Sequence, residues 1–371
     1  MTTIKILGID IGGANTKAAL IICDRFKIKK SMSCIEYFPF WEKNLHEIPN
    51  MLRRIIEKVS KSHIKLNEID FISIAITAEL SDAFQTKREG IEIILDNLSK
   101  VFKEEKMFFI SSDAEFIDIK NAKEKYLTVA ASNWVSTAIF LGNYVQNCIL
   151  IDAGSTTIDI IPIFDSKPVT LGKTDIERLI HHELIYTGGL RATIPSITHT
   201  IPYKGKMVRI SFEKFALVSD VHRILNHISE KEYINDTADN RSKSIENCYA
   251  RLARIICMDI EGISIEELNS IANFIYEKQV DIISSEISFF MESLISRLPE
   301  FKKNPLFIIT GLAAEFLIKV VLTKLGFNNI QYFETITNTS DKLSSSALAV
   351  AGALYYKIKN DINHGNSNSN L

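Results

Sequence analysis

The chain has 371 residues, 46% of them apolar and 24% charged, and its 43 basic and 45 acidic side chains leave a formal net charge of -2. That length suffices for two lobes with apolar cores, and the balance excludes a chain disordered throughout. Charges of both signs are interleaved, so no single-sign field exists for nucleic acid or an anionic membrane surface. No apolar run reaches the roughly 18 residues of a membrane span, and no basic flank marks a secretory leader. The five cysteines contain no Cys-x-x-Cys pair, which argues against a disulfide framework or zinc knuckle and for a reducing cytosol.

Ile4 to Ile11 is apolar on both faces, Gly12-Gly13 breaks the run, and Thr16 to Cys23 is apolar again, so a strand, a tight turn and a second strand are expected. A helix is expected from about Asn44 to Lys61, where Leu45, Ile48, Leu52, Ile55, Ile56 and Val59 share one face. A strand Phe71 to Ile76, a helix Glu92 to Phe102 and a strand Met107 to Ile110 follow, with Tyr126 to Ala131 a further candidate strand. This alternation predicts an α/β class. Cys148 to Ile151, a turn through Asp152-Ala153-Gly154-Ser155-Thr156, and Thr157 to Ile163 then repeat the first hairpin, as expected of two lobes built from one duplicated unit. Leu190 to Arg241 is polar and carries Pro195, Pro202 and Gly205, which reads as an insertion with a hairpin near Lys206 to Phe212, placed to cap a cleft. Three helices are expected over Ser244 to Cys257, Ser264 to Tyr276 and Val280 to Leu298. The expected division is a first lobe over 1–130, a second over 131–343 with the insertion at about 190–243, a helix over about 344–357 returning to the first lobe, and a disordered tail over 360–371.

Three loops carry chemistry. In Asp10-Ile11-Gly12-Gly13-Ala14-Asn15-Thr16-Lys17 the glycines allow backbone N–H groups to face an oxyanion and the lysine adds a point charge, although an ordinary glycine hairpin would show the same pattern. In Asp152-Ala153-Gly154-Ser155-Thr156-Thr157-Ile158-Asp159 hydroxyls and amides can wrap phosphate oxygens while carboxylates hold a hydrated metal. Leu306 to Glu315 is an apolar strand that stops at Thr310-Gly311 and enters a helix from Ala314 to Leu325, which lets a ligand approach closely. In this order and spacing the loops resemble the two phosphate loops and the adenosine-type loop of the actin, sugar-kinase and heat-shock-ATPase superfamily, a ribonuclease H-like fold duplicated into two lobes. The resemblance implies that Asp10 and Asp152 face one shared metal.

Further segments are similar to hydantoinase A/oxoprolinase-related proteins, in the branch linked to the tetrahydromethanopterin one-carbon pathway. These are Ile76 to Phe84 with Lys87 and Gly90, Ala131-Ser132-Asn133-Trp134, Gly154 to Pro162, Glu183 to Gly188 with Arg191, and Asp239 to Glu246 leading to Arg251-Leu252-Ala253-Arg254. The resemblance implies a transferase of methanofuran biosynthesis that joins an aminomethyl-furanmethanol diphosphate to the phenol oxygen of γ-glutamyltyramine. It implies Mg²⁺ on Asp10 and Asp152, with Gly12, Gly13, Asn15, Lys17, Ser155, Thr156 and Thr157 on the diphosphate and Lys87 and Gly311 among the substrate contacts. Glu79 and Asp159 are candidate bases for the phenol, with an ion pair to Lys87 and a structural aspartate as the competing readings. Arg191 and Arg241 are candidates to clamp the acceptor's carboxylates, or surface ion pairs. The same fold supports an ATP-dependent kinase or amide-ring hydrolase and a non-enzymatic nucleotide switch. Leu312-Ala313-Ala314 crowds the place of a base and tilts the reading away from ATP.

Overall fold

Apolar side chains on both faces place β1 (Ile4–Gly12) inside a sheet, with β2 (Asn15–Cys23) returning antiparallel beside it and β3 (Ile28–Tyr37) beyond. On its other edge β1 pairs in parallel with β4 (Phe71–Thr77), β4 with β5 (Met107–Ile110), and the short β6 (Phe116–Ile117) closes the row. The chain, a computed structural model, is described for residues 3–24, 27–60, 64–339 and 345–363. A second sheet begins with β7 (Cys148–Ala153), β8 (Ile158–Phe164), β9 (Lys167–Pro168) and β10 (Leu184–Ile185). The chain then makes a separate hairpin, β11 (Thr200–Tyr203) with β12 (Lys206–Arg209), before β13 (Phe307–Thr310) and β14 (Ile330–Tyr332) complete that sheet in the order β10-β8-β7-β13-β14. Both sheets thus follow one plan: a hairpin, a third strand outside its second arm, and two parallel strands outside its first. This is a ribonuclease H-like plan present twice, and the chain is α/β. It divides into two units, Met1–Cys148 with Ile161–Arg178 and Phe333–Leu371, and Ile149–Ile160 with Leu179–Tyr332.

In the first unit Leu7, Ile9 and Ile11 face one core, closed by the helices Ile48–Ser60 and Lys87–Ser99. Ile6, Ala19 and Ile21 face the other, closed by the helix Ser345–Asn363 through Ala347, Ala351 and Leu354. Gly8 lets that helix lie directly on β1, since a Cβ there would stand 2.2 Å from the Ala347 carbonyl oxygen. Ser73 donates to Val350 O at 2.8 Å and fixes the helix along the sheet. In the second unit the segment between Leu190 and Ile275 has its own core, including Ile194, Val218, Leu252 and Leu268.

Several expectations change. Tyr126–Val129 is a short helix instead of a strand, because the edge of β5 is already taken by β6; only Ala130 bridges to Ile76. The two helices expected over 264–298 are one, Ile265–Arg297, 33 residues long and opened by a capping box between Ser264 and Glu267. The helix expected from Glu92 begins at Lys87, where Thr86 caps it by accepting from Glu89 N–H at 3.1 Å. The helix entered from Ala314 opens as a π-helical stretch, Ala314–Lys319, before α geometry resumes at Val320. The hairpin in the polar segment starts upstream at Thr200 and turns through Lys204-Gly205, both at positive φ, as a tight two-residue turn requires. Of the tail expected to be disordered, 360–363 finish the helix Ser345–Asn363 and 364–371 lie outside the described residues. Among the described residues no helix is long and apolar enough to cross a membrane.

Candidate active site

In the second unit the chain leaves β7 at Asp152-Ala153 and turns through Gly154-Ser155-Thr156-Thr157 into β8. Gly154 N–H donates to Thr157 O at 2.9 Å and closes the turn. Its carbonyls are gathered by one neighbouring segment: Gly188 N–H donates to Thr156 O and Gly189 N–H to Gly154 O, each at 2.9 Å, while Leu190 and Arg191 N–H groups donate to Ser155 O at 2.9 and 3.1 Å. With the carbonyls held in this clasp, the N–H groups of Ser155 and Thr156 have no backbone partner among the described residues. The hydroxyls of the same two residues lie 3.5 Å apart. Two such N–H groups and two hydroxyls in one turn make a nest whose donor chemistry suits an anion. Gly188 is required for the clasp, since a Cβ there would lie 2.6 Å from Gly154 O and 2.8 Å from Thr156 N.

Gly311 adjoins the same turn. It sits at φ +92 after β13, whose Thr310 pairs in register with Asp152, and a Cβ at Gly311 would be 2.7 Å from Asp152 Oδ1. Ala313 N–H donates to Ala153 O at 3.0 Å. Asp152, the nest and Gly311 therefore lie together, brought there from two of the three loops marked in the sequence. Asp159 projects from β8 between the buried Ile158 and Ile160, on the opposite face of the strand and in register with Leu184.

In the first unit Asp10 is 3% exposed. Its Oδ2 accepts from Ser346 Oγ at 2.6 Å, and Lys17, its cross-strand partner, lies 4.0 Å from the same oxygen and donates to Ser346 Oγ at 3.2 Å. Asp10 Oδ1 is buried and has no hydrogen-bond partner among the described residues. A buried carboxyl oxygen in that position has the chemistry of a hard-cation ligand. The turn beyond it is pinned from outside, Phe40 N–H donating to Gly13 O at 3.0 Å and Phe38 N–H to Ala14 O at 2.9 Å, which leaves Gly12, Gly13 and Asn15 half-buried.

Glu79 ends the segment after β4 and is 1% exposed. Lys87 lies 3.9 Å from Glu79 Oε1 and 3.7 Å from Asp175, while Glu79 Oε2 is buried without a hydrogen-bond partner among the described residues. Burial raises the Glu79 carboxyl to about 7 against the lowering pull of its own N–H and of Lys87, with Asp175 adding to the rise. The ion pair with Lys87 and an unsatisfied, near-neutral carboxyl are thus both present at one residue.

The arginines part company. Arg191 is exposed and is joined by its backbone to Ser155 O. Arg241 stands on the insertion, its side chain 63% exposed and 3.9 Å from Asp239. Its neighbours in the same sequence motif are structural. Arg251 is fully buried and donates to Asp220 Oδ1 at 2.8 Å and to Asp239 at 3.0 Å, Tyr233 OH also donates to Asp220, and Arg254 completes the pairing with Asp239 at 2.8 Å. His182, next to His181, pairs with Glu286 at 2.7 Å, and no group of three or more His, Cys, Asp or Glu among the described residues is placed to hold a metal by itself. Sequence reasoning did not single out Gly188-Gly189 as part of the site, though a glycine pair after a short strand was the available signal. Ser346 and Asp175 carried none.

A model of the hydantoinase/oxoprolinase family matches residues 70–357. The chain belongs to that family. A curated relative from Methanocaldococcus jannaschii is 38% identical over 315 residues, 85% of this chain and 88% of its own, and is named (4-{4-[2-(gamma-L-glutamylamino)ethyl]phenoxymethyl}furan-2-yl)methanamine synthase. A protein of the same name from Methanococcus vannielii is 36% identical over 187 residues, 50% of this chain and 80% of its own. Among solved structures, component A of (R)-2-hydroxyglutaryl-CoA dehydratase from Acidaminococcus fermentans aligns over 96% of this chain and 99% of its own at 12% identity, with a TM-score of 0.46.

Proposed function

We propose that this chain joins an aminomethyl-furanmethanol diphosphate to the phenol oxygen of γ-glutamyltyramine and releases diphosphate. The observation that carries this reading is the 38% identity, over 85% of the chain, to a synthase whose named product contains that phenoxymethyl-furan ether. In the reaction the phenol oxygen bonds to the furfuryl carbon, the bond from that carbon to the diphosphate oxygen breaks, and the electron pair leaves with diphosphate. The furan oxygen can delocalise positive charge at the reacting carbon, so the main demand is stabilisation of the leaving group.

Preorganised donors meet that demand. In this reading the N–H groups and hydroxyls of Ser155 and Thr156, with Thr157, hold diphosphate oxygens in the second unit. Gly12, Gly13, Asn15 and Lys17 play the same part in the first, and Gly311 leaves room beside Asp152 in the second. Asp10 and Asp152, each in its own unit, are the proposed ligands of Mg²⁺, an ion that takes one or two carboxylates and leaves its other positions to water and phosphate. When bound, the ion neutralises charge on the departing diphosphate. The phenol proton passes to Glu79, whose buried carboxyl near 7 is matched to that transfer at neutral pH; Asp159 is the second candidate. Lys87 steadies the Glu79 carboxylate once it is ionised. Arg191, tied to the nest through its backbone, is favoured over Arg241 as the clamp on the acceptor's carboxylates.

Incubation with Mg²⁺, the furan diphosphate and γ-glutamyltyramine, followed by mass spectrometry, tests this reading. The coupled ether and one diphosphate are expected in equal amounts, with ATP unable to replace the furan diphosphate. Absence of the ether, or a requirement for ATP, would overturn it.

A further inference from the structure

Behind the clasp on the nest lies a chain of buried polar side chains that the proposed reaction does not use. Gln279, 1% exposed in the middle of the helix Ile265–Arg297, donates from Nε2 to Gly188 O and to Thr187 Oγ1, each at 3.0 Å. Its Oε1 lies 3.0 Å from Nε2 of the fully buried His222, whose Nδ1 lies 3.1 Å from Nδ1 of His227. His227 is half-buried, stacked on Phe316 and beside Tyr276.

The direction of every bond in this chain is fixed. Gly188 O is a carbonyl, so the Gln279 amide must present its NH₂ there and its oxygen to His222. That oxygen only accepts, so His222 carries its proton on Nε2, and its Nδ1 in turn accepts from His227 Nδ1–H. Burial holds the His222 imidazole neutral, lowering it to about 3. Gly188 is therefore held through both of its backbone polar groups: its N–H on Thr156 O and its carbonyl on Gln279.

From this geometry we infer that Gln279 and His222 are positioning residues for the nest, holding segment 187–191 so that it turns the Ser155 and Thr156 N–H groups outward toward the ligand. The inference deepens the proposed function and rests on it only for the identity of the ligand. Gln279→Met keeps the volume and removes both donors. Gln279→Glu keeps the volume and the bond from His222 but turns an oxygen toward the Gly188 carbonyl.

The test is hydrogen–deuterium exchange of the full chain and both variants, with calorimetric titration of inorganic diphosphate and Mg²⁺. In both variants exchange at 152–157 and 187–191 is expected to rise about tenfold or more while that of 200–209 stays unchanged. Diphosphate affinity is expected to fall by about 10- to 100-fold. Exchange at 152–157 within about twofold of the natural chain in both variants, or faster exchange spread evenly along 265–297, overturns the inference. If the natural chain takes up no diphosphate while exchange at 152–157 still rises in the variants, the positioning role stands and the diphosphate reading falls.

Discussion

The hairpins at Asp10 and Asp152 share a strand–turn–strand plan, yet different forces hold them in shape. At Asp10 the contacts are between side chains: Ser346, 336 residues further along the chain, donates to the carboxylate, and Lys17 leans on the same pair. At Asp152 they are between backbones, with four N–H groups of 188–191 on three carbonyls of the turn. A backbone clasp tolerates most side-chain changes and fails wherever a Cβ intrudes, whereas a side-chain clasp depends on the identity of each residue. Among the described residues the first arrangement leaves one buried carboxylate oxygen without a hydrogen-bond partner, and the second leaves two half-buried N–H groups without a backbone partner. In the proposed reaction the first presents an acceptor to the cation and the second presents donors to the diphosphate.

The largest expected effect comes from removing either charge. Asp152→Asn and Asp10→Asn should each lower the turnover number by on the order of 10³-fold, measured as ether formed under saturating substrate. If only one of the pair loses activity, the other aspartate is no metal ligand and the symmetry of the two hairpins ends at topology.

Glu79→Gln is expected to cost about 10²- to 10³-fold in rate. It should also erase the limb of the pH profile that rises toward a plateau above pH 7, where the natural carboxyl at about 7 becomes ionised. The same change stabilises. A carboxyl whose folded pKa is raised binds its proton more tightly when folded than when unfolded, so stability is lost as pH climbs from the ordinary value of 4.5 through about 7. Glu79→Gln should therefore exceed the natural chain in stability by about 2–3 kcal/mol at pH 8 and by less toward pH 5, read from urea unfolding. Equal stability at both pH values would show that the burial of Glu79 does not set its titration.

A smaller contrast separates the two clasps directly. Gly188→Ala pushes a methyl against Gly154 O and should weaken diphosphate binding by about 10- to 100-fold. Ser346→Ala removes one hydroxyl and should weaken it by about tenfold or less. Calorimetry on both variants settles the order, and the reverse order would mean that the side-chain clasp governs binding.

The parts of this molecule legible in sequence are those where local pattern and tertiary role agree. Both hairpins announce themselves because strands apolar on both faces stop at glycine. β3 escapes notice because Ile28–Tyr37 is an outer strand, largely exposed, and carries Lys29, Lys30, Ser31 and Ser33 where a buried strand would be apolar. The helix Ile265–Arg297 looks divided at Glu277-Lys278-Gln279 because a polar residue falls where the apolar period calls for a core side chain. That residue is Gln279, so the interruption in the pattern marks the polar support beneath the nest. That Asp152, Ser155 and Thr156 share one turn was readable from the loop pattern. The places of Ser346 and Asp175 were not, because only the fold brings them to Asp10 and Lys87.

The course of Ile265–Arg297 as a single rod also strings the segment that feeds the clasp. Arg297, near the end of the rod, reaches back to Glu183 at 3.8 Å, while Gln279 grips Thr187 and Gly188. Those two anchor points are roughly 27 Å apart along the rod at 1.5 Å per residue, whereas the five residue steps from Glu183 to Gly188 extend at most about 17 Å. Only the reach of the anchoring side chains makes up the difference. The segment is thus fastened to one helix at two points more than four turns apart, so a bend of that helix between them reaches the turn the segment restrains.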